Sequence, residues 1–195
     1  MQTQFTRYPE TRQNIVRELP AVLTRPVGND AASIVVRNPT IEDGARIWRI
    51  AANSRVLDVN SSYAYVLWCR DFAQTSVVAE IDGEVGGFVI GYLRPEQPGT
   101  LFVWQVAVDH ASRGRRVGVG MLDCLLSDLA ERGISTLETT IAPENAASIA
   151  MFGALARSRG MHMTRQPLFT PGHFPDSHEP EQLYRITAAT HQKGR

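Results

Sequence analysis

The stretch Val106-Ala107-Val108-Asp109-His110-Ala111-Ser112-Arg113-Gly114-Arg115-Arg116-Val117-Gly118-Val119-Gly120 decides how this chain is read. Its first three residues close the apolar run 101–108 (LFVWQVAV), which has the character of a central strand. Beyond the Gly/Arg loop, Leu122, Leu125, Leu126 and Leu129 recur at i, i+3, i+4 and i+7, marking a helix that Gly133 ends. A strand that feeds a helix through so tight a loop aims several backbone N–H groups and the positive end of the helix dipole at one spot. The arginines add charge to the same place, so the segment suits a diphosphate. The plain alternative is a helix N-terminus with a solvated basic face. The order of the flanking elements favours the first reading.

Upstream, residues 33–37 (SIVVR) read as a strand stopped by Asn38-Pro39-Thr40, with Thr40 as N-cap and Asp43 three residues on. Ile41, Ala45, Trp48 and Ala52 are spaced to share one face of the helix that follows. Residues 54–63 read as a loop and 63–72 (YAYVLWCRDF) as a second helix. Asp82-Gly83 joins strands 76–81 and 85–92 in a hairpin, and 94–99 is a Pro/Gly loop. Downstream come a strand at 134–141 and a helix opened by Pro143-Glu144-Asn145 that runs to about residue 159. Strands at 161–169 and 182–186 then enclose a loop carrying His173 and His178. The order β-α-α-β-β-β-α-β-α-β-β makes one α/β domain over 33–187. Residues 1–32 are polar and aperiodic and read as a flexible extension, with 15–23 a candidate helical turn; 188–195 read as a tail.

The chain has 195 residues, 43% hydrophobic and 21% charged, and its twenty basic residues balance twenty acidic ones. That balance gives no global field for nucleic acid or an anionic membrane. Cys69 and Cys124 are too few for a disulfide framework, and Cys124, inside the leucine-rich helix, reads as a core residue rather than a nucleophile. No run reaches the ~18–20 apolar residues of a membrane span, and the first residues lack a secretory pattern, so the expected location is cytoplasmic. The five histidines have no metal-ligand spacing, and no metal is expected.

The Gly/Arg segment resembles the pyrophosphate loop of the GNAT superfamily of acetyltransferases, Arg/Gln-x-x-Gly-x-Gly/Ala. Two registers fit. The ungapped one, Arg113-x-x-Arg116-x-Gly118, keeps both flanks but sets Arg116 where the family has glycine; the other, Arg115-x-x-Gly118-x-Gly120, keeps the glycines and shifts the loop by two. The first is preferred. It implies a mixed, mostly antiparallel sheet and an acetyl-CoA cosubstrate held by Arg113, Gly114, Arg116, Val117, Gly118 and Val119, with the backbone of Val106 and Val108 along the pantetheine. Asn145 and Ser148 match the family's Asn-x-x-Ala/Ser helix start, which also meets the cofactor. Phe152 stands where the family often has a tyrosine acid, and has no proton to give.

Residues 57–65, 101–108, 137–145 and 178–186 together resemble the diaminobutyrate acetyltransferases of ectoine biosynthesis. The resemblance implies acetyl transfer to the 4-amino group of L-2,4-diaminobutyrate, a small-molecule substrate, by a homodimer. An alkyl ammonium with a pKa near that of lysine, ~10, is about one-thousandth free amine at pH 7, so a base or desolvation is required. Carboxylates and aromatics should line the acceptor site. Glu138, in a Leu/Thr/Ile strand, is the expected base, with Asp58 pairing a substrate ammonium and His178 assisting proton movement or binding the carboxylate. Tyr63, Tyr65, Trp104, Gln105 and Thr139 complete the expected substrate contacts. The bland counterparts are an outward-facing glutamate, a loop aspartate, a core tryptophan and a solvated histidine. Two other functions compete: acetylation of a different small amine or protein amino group, and acyl-CoA binding without catalysis.

Overall fold

In the computed structural model, which describes residues 24–26, 34–176 and 178–188, the strands are β1 (Thr24–Pro26), β2 (Ile34–Arg37), β3 (Val77–Ile81), β4 (Glu84–Arg94), β5 (Gln97–Val108), β6 (Thr136–Ile141), β7 (Met161–Phe169) and β8 (Glu181–Ala188). They form one sheet in the order β1-β2-β3-β4-β5-β6-β8-β7, antiparallel except for the β5–β6 pair. Helices α1 (Gly44–Ser54) and α2 (Ser62–Asp71) cover one face, α3 (Val117–Glu131) and α4 (Ala146–Ser158) the other. The leucine stripe of α3 packs on Val77, Ala79, Val89, Leu101, Val103 and Leu137, and α4 adds Phe152 and Leu155 to that core. On the opposite face Ile47, Ile50, Ala51, Tyr65 and Cys69 meet Val78, Val85, Phe88 and Ile90. Burial drives the Cys69 thiol pKa up to about 12, and Cys124 is buried too, as expected of core residues.

The turn chemistry is legible. Asp82 and Gly83 both take positive φ, 53° and 86°, the backbone that a two-residue hairpin with right-handed twist requires. Thr40 and Asp43 form a capping box, over a 3-10 turn at Ile41–Asp43 that leads into α1.

Three readings are corrected. First, α1 does not bury the stripe Ile41, Ala45, Trp48 and Ala52. Ile41 is 50% and Trp48 36% exposed, and the neighbouring stripe Gly44, Ile47, Ile50 and Ala51 takes the sheet. Its small members allow the close approach: a Cβ on Gly44 would lie 2.9 Å from Val66 of α2. Second, the segment 94–99 is not a loop. β4 runs through Arg94 and β5 begins at Gln97; the register shift between Leu93 and Arg94 leaves Pro98, which has no N–H, out of the ladder. Third, Thr24–Pro26, inside the expected extension, pairs antiparallel with Val35–Arg37 as an eighth strand. The candidate turn at 15–23 lies outside the described residues.

Two irregularities of β5 build the site. Its pairing with β6 ends at Val103–Thr139, so from Trp104 to Val108 the strand runs on beside β4 alone, and the sheet forks. Opposite the shift between Ile90 and Gly91, Trp104 is the extra residue of a bulge. Before it Leu101 and Val103 face α3; after it Val106 and Val108 do, and Gln105 and Ala107 turn toward α1 and α2. A strand of unbroken alternation would have put Gln105 in the α3 core.

Candidate active site

Two cavities of about 540 and 660 Å³ meet at the fork and share Val56, Leu57, Val106, Asn145 and Ser148. The smaller follows the Gly/Arg loop. Val106, Val108, Arg113, Gly114, Arg116, Val117, Gly118, Val119, Asn145 and Ser148 all line it, so the expected cofactor residues come together. Arg116 precedes the first turn of α3 with φ 58°, and Gly114 has φ 79°. Arg116 therefore occupies the left-handed position that a glycine would fill without strain, and Arg115 does not line the cavity, as the ungapped register requires. Gly118 is confined by α4: a Cβ there would lie 2.6 Å from Met151 Sδ. Arg113 donates Nε to the Val108 carbonyl at 3.2 Å, which ties the loop to the end of β5. Asn145 caps α4 by accepting from the Ser148 N–H at 3.1 Å. The N-termini of α3 and α4 thus converge on one groove, a setting for a diphosphate and an amide-bearing arm.

The larger cavity has an aromatic wall. Trp68 lies 4.8 Å from Trp104 and 6.1 Å from Tyr92, ring centre to ring centre, and Phe102 is 5.3 Å from Tyr92. Phe169 and Phe174 line it from the β7–β8 side, and Phe152, 1% exposed, from α4. Its charged groups are Asp58, His178 and Glu181. His178 holds Asp58 Oδ2 at 3.1 Å through Nε2 and the Glu179 carbonyl at 2.7 Å through Nδ1, and stacks on Phe174 at 4.2 Å. The Glu179 carbonyl and the Asp58 carboxylate raise its pKa, against the desolvation that lowers it. Glu181 is half-buried, and its Oε2 is shielded from solvent with no hydrogen-bond partner among the described residues. Desolvation pushes its pKa above the usual carboxylate value, while His178 and Thr140 act in the opposite sense.

Of the expected acceptor residues, Asp58, Trp104, Gln105, Thr139 and His178 line this cavity. Three do not. Tyr63 is 71% exposed outside it, and Tyr65, 1% exposed, lies in the core with its hydroxyl on Gln105. Glu138 is fully buried, its two oxygens held at 2.7 Å by Arg94 and by Arg185. A carboxylate paired with two guanidinium groups and absent from the cavity lining is placed to hold strands together rather than to meet a substrate. Glu181 is the functional candidate that sequence reasoning missed. Its signal was there: it opens β8 three residues after His178, in phase with the buried Leu183.

Among the described residues no helix is long and apolar enough to cross a membrane, and no three His, Cys, Asp or Glu side chains are grouped to hold a metal ion. Residues 44–156 match the acetyltransferase (GNAT) family. An L-2,4-diaminobutyric acid acetyltransferase of Nocardia farcinica is 59% identical over 82% of this chain and 83% of its own length. That of Streptomyces coelicolor is 52% identical over 80% and 93%. The crystallised diaminobutyrate acetyltransferase EctA of Paenibacillus lautus, in complex with its substrate L-2,4-diaminobutyric acid and coenzyme A, is 34% identical, with a TM-score of 0.76 over 86% of this chain and all of that one. On a family match over more than half of its length and relatives of this identity and coverage, the chain belongs to the L-2,4-diaminobutyric acid acetyltransferases of the GNAT family.

Proposed function

We propose that the protein transfers the acetyl group of acetyl-CoA to the 4-amino group of L-2,4-diaminobutyrate, the acetylation step of ectoine formation. The carrying observation is the junction of the two cavities at the β5–β6 fork, which sets a cofactor groove against an acceptor site bearing two carboxylates. The cofactor's diphosphate lies on the Gly114–Val119 loop, with Arg113 and Arg116 supplying charge. The backbone edge of β5 freed by the fork accompanies the pantetheine arm.

The acceptor is a dication with one carboxylate, and the site is built for that pattern. Asp58 pairs with one ammonium and the aromatic wall carries the other across its ring faces. Glu181, rather than Glu138, takes a proton from the 4-ammonium, directly or through water; its raised pKa makes it a better base at neutral pH. The freed amine attacks the thioester carbonyl, the tetrahedral adduct loses the nitrogen's second proton to solvent and collapses with C–S cleavage, and the CoA thiolate leaves. Phe152 gives it no proton, and a thiolate needs none to leave. His178, its pKa raised by the Glu179 carbonyl and the Asp58 carboxylate, suits the substrate carboxylate. Thr139, on the β6 wall, is a secondary contact. We further propose a homodimer, to which the open edge of β7 with exposed Leu168 and Phe169 lends itself, and a cytoplasmic location, where acetyl-CoA is supplied.

Thiol release with acetyl-CoA across a panel of diamino acids, with NMR of the product, tests the reading. Turnover should be highest with 2,4-diaminobutyrate and the acetyl group should sit on N4. A preference for another amine, or no turnover, overturns it.

A further inference from the structure

We infer that Tyr65 and Gln105 are positioning residues that fix where Asp58 meets the acceptor, Tyr65 acting through Gln105. The inference rests on the acceptor-site reading above, because Asp58 is its endpoint.

Asp58 sits in the segment between α1 and α2, and its side chain is 88% exposed. Burial therefore does not hold its carboxylate; His178 meets it at 3.1 Å, and the backbone beneath it sets where the two can meet. That backbone is tethered in two places. Arg55 leaves α1 with φ 59°, and Ser54 Oγ accepts from the Leu57 N–H at 3.1 Å while donating to the Ala51 carbonyl at 2.8 Å. One residue on, the Asp58 carbonyl accepts Gln105 Nε2 at 2.8 Å. Gln105 is 5% exposed and faces this way because of the Trp104 bulge.

The direction of the chain is fixed by donor chemistry. A carbonyl can only accept, so Gln105 must turn its amino end to Asp58 and its oxygen to α2. There the Tyr65 hydroxyl donates to Oε1 at 3.0 Å. Tyr65 is clamped in the core, edge-on to Phe88 at 6.4 Å, so its hydroxyl has little freedom. Without that donor the amide has a buried oxygen unpaired and less reason to keep its orientation. If it flips, an oxygen faces the Asp58 carbonyl and the tether becomes a repulsion. One hydroxyl in the core thus sets the height of a solvent-exposed carboxylate.

The test uses Tyr65→Phe, Gln105→Met, the double variant, and Tyr65→Phe in an Asp58→Asn background. Tyr65→Phe should raise the KM for diaminobutyrate about three- to tenfold, the span of one hydrogen bond, with kcat and the KM for acetyl-CoA within twofold. The double variant should be no worse than Gln105→Met, and Tyr65→Phe should add nothing once Asp58 is Asn. In the same free proteins, amide exchange at residues 56–60 should quicken in Tyr65→Phe with the rest of α1 and α2 unchanged. A purely structural tyrosine would lower Tm without splitting the two KM values. An unchanged acceptor KM together with unchanged exchange, or an effect that persists in Asp58→Asn, overturns the inference. If wild type does not acetylate diaminobutyrate, the functional reading has failed, and the exchange measurement alone decides whether Tyr65 orders the Asp58 segment.

Discussion

His178, on the segment between β7 and β8, reaches back to Asp58, before α2, 120 positions earlier in the chain, with Nε2 3.1 Å from Oδ2. The contact joins the two irregular segments that rim the acceptor cavity. Both groups are reachable by solvent, so their attraction is modest and salt-sensitive. Its pH dependence is directional. The His178 pKa is raised above its usual 6.5, so the contact's contribution is fully present below that value and is lost as pH rises through the raised one. The Tm difference between wild type and His178→Asn should therefore be largest below pH 6.5 and shrink as pH rises into the alkaline range. A difference that grows toward alkaline pH contradicts the assignment.

Glu181 gives the opposite kind of variant, one that gains stability and loses function. Its pKa lies above the usual 4.5, so its contribution to stability is present below that pH and is lost as pH rises through the raised value. In the free protein the group is half-buried, with one oxygen unpartnered among the described residues. Glu181→Gln should melt higher than wild type at pH 7 to 8 and show no advantage at pH 4. Its turnover should fall ~10²–10⁴-fold, the usual worth of a general base. Retained turnover with a raised acceptor KM would reduce Glu181 to a binding group.

Glu138 should behave as a structural ion. It bridges Arg94, at the end of β4, and Arg185, in β8, from the middle of β6, just before the fork opens. Replacing it by Gln turns an amino group toward one guanidinium. Because both arginines are partly exposed, 32% and 43%, they can hydrate, and the cost should be about 2–3 kcal/mol rather than that of a sealed pair. The expected result is a lower Tm with kcat within a few-fold of wild type and an unchanged pH profile. A flattened acidic limb in Glu138→Gln would restore it as the base.

The fate of Glu138 and Glu181 marks where a sequence stops being informative. Strand and helix periods carried the fold, and the Gly/Arg loop carried the cofactor groove, because both are local: each depends on residues within a few positions of one another. The acceptor site is assembled from the ends of β5 and β8 and the segment before α2, and which carboxylate faces it depends on strand parity. A glutamate inside an apolar strand signals that it is either used or paired. Its partners, Arg94 and Arg185, lie 44 and 47 residues away, and no local pattern points to them. The Trp104 bulge is nearly silent: LFVWQVAV is apolar on both faces, and its one polar residue, Gln105, does not say where the strand changes phase. β1 was missed because three residues have no period to read, and a polar extension can still supply backbone hydrogen bonds to an edge.

Arg116 offers the sharpest separation of stability from binding. It holds φ 58° and ψ 19° in front of α3, a conformation that costs a residue with a Cβ about 1–2 kcal/mol and glycine almost nothing. Nothing in the packing demands an arginine there: it is exposed, and it lines the groove above the first turn of the helix. The role proposed for it is to deliver its guanidinium to the diphosphate. Arg116→Gly should then melt higher than wild type by roughly 2–8 °C, at 2–4 °C per kcal/mol for a chain of this size. It should also bind CoA more weakly by about 1.5–3 kcal/mol, the worth of a charge-assisted contact. Arg116→Ala keeps the Cβ and loses the charge, so it should show the weaker binding without the gain in Tm. Calorimetric titration and a thermal melt on the two variants suffice. If glycine stabilises and CoA affinity is unchanged, Arg116 is strained for no diphosphate contact, and the ungapped register loses its main support. If glycine destabilises, the unfolded chain's added freedom outweighs the left-handed strain.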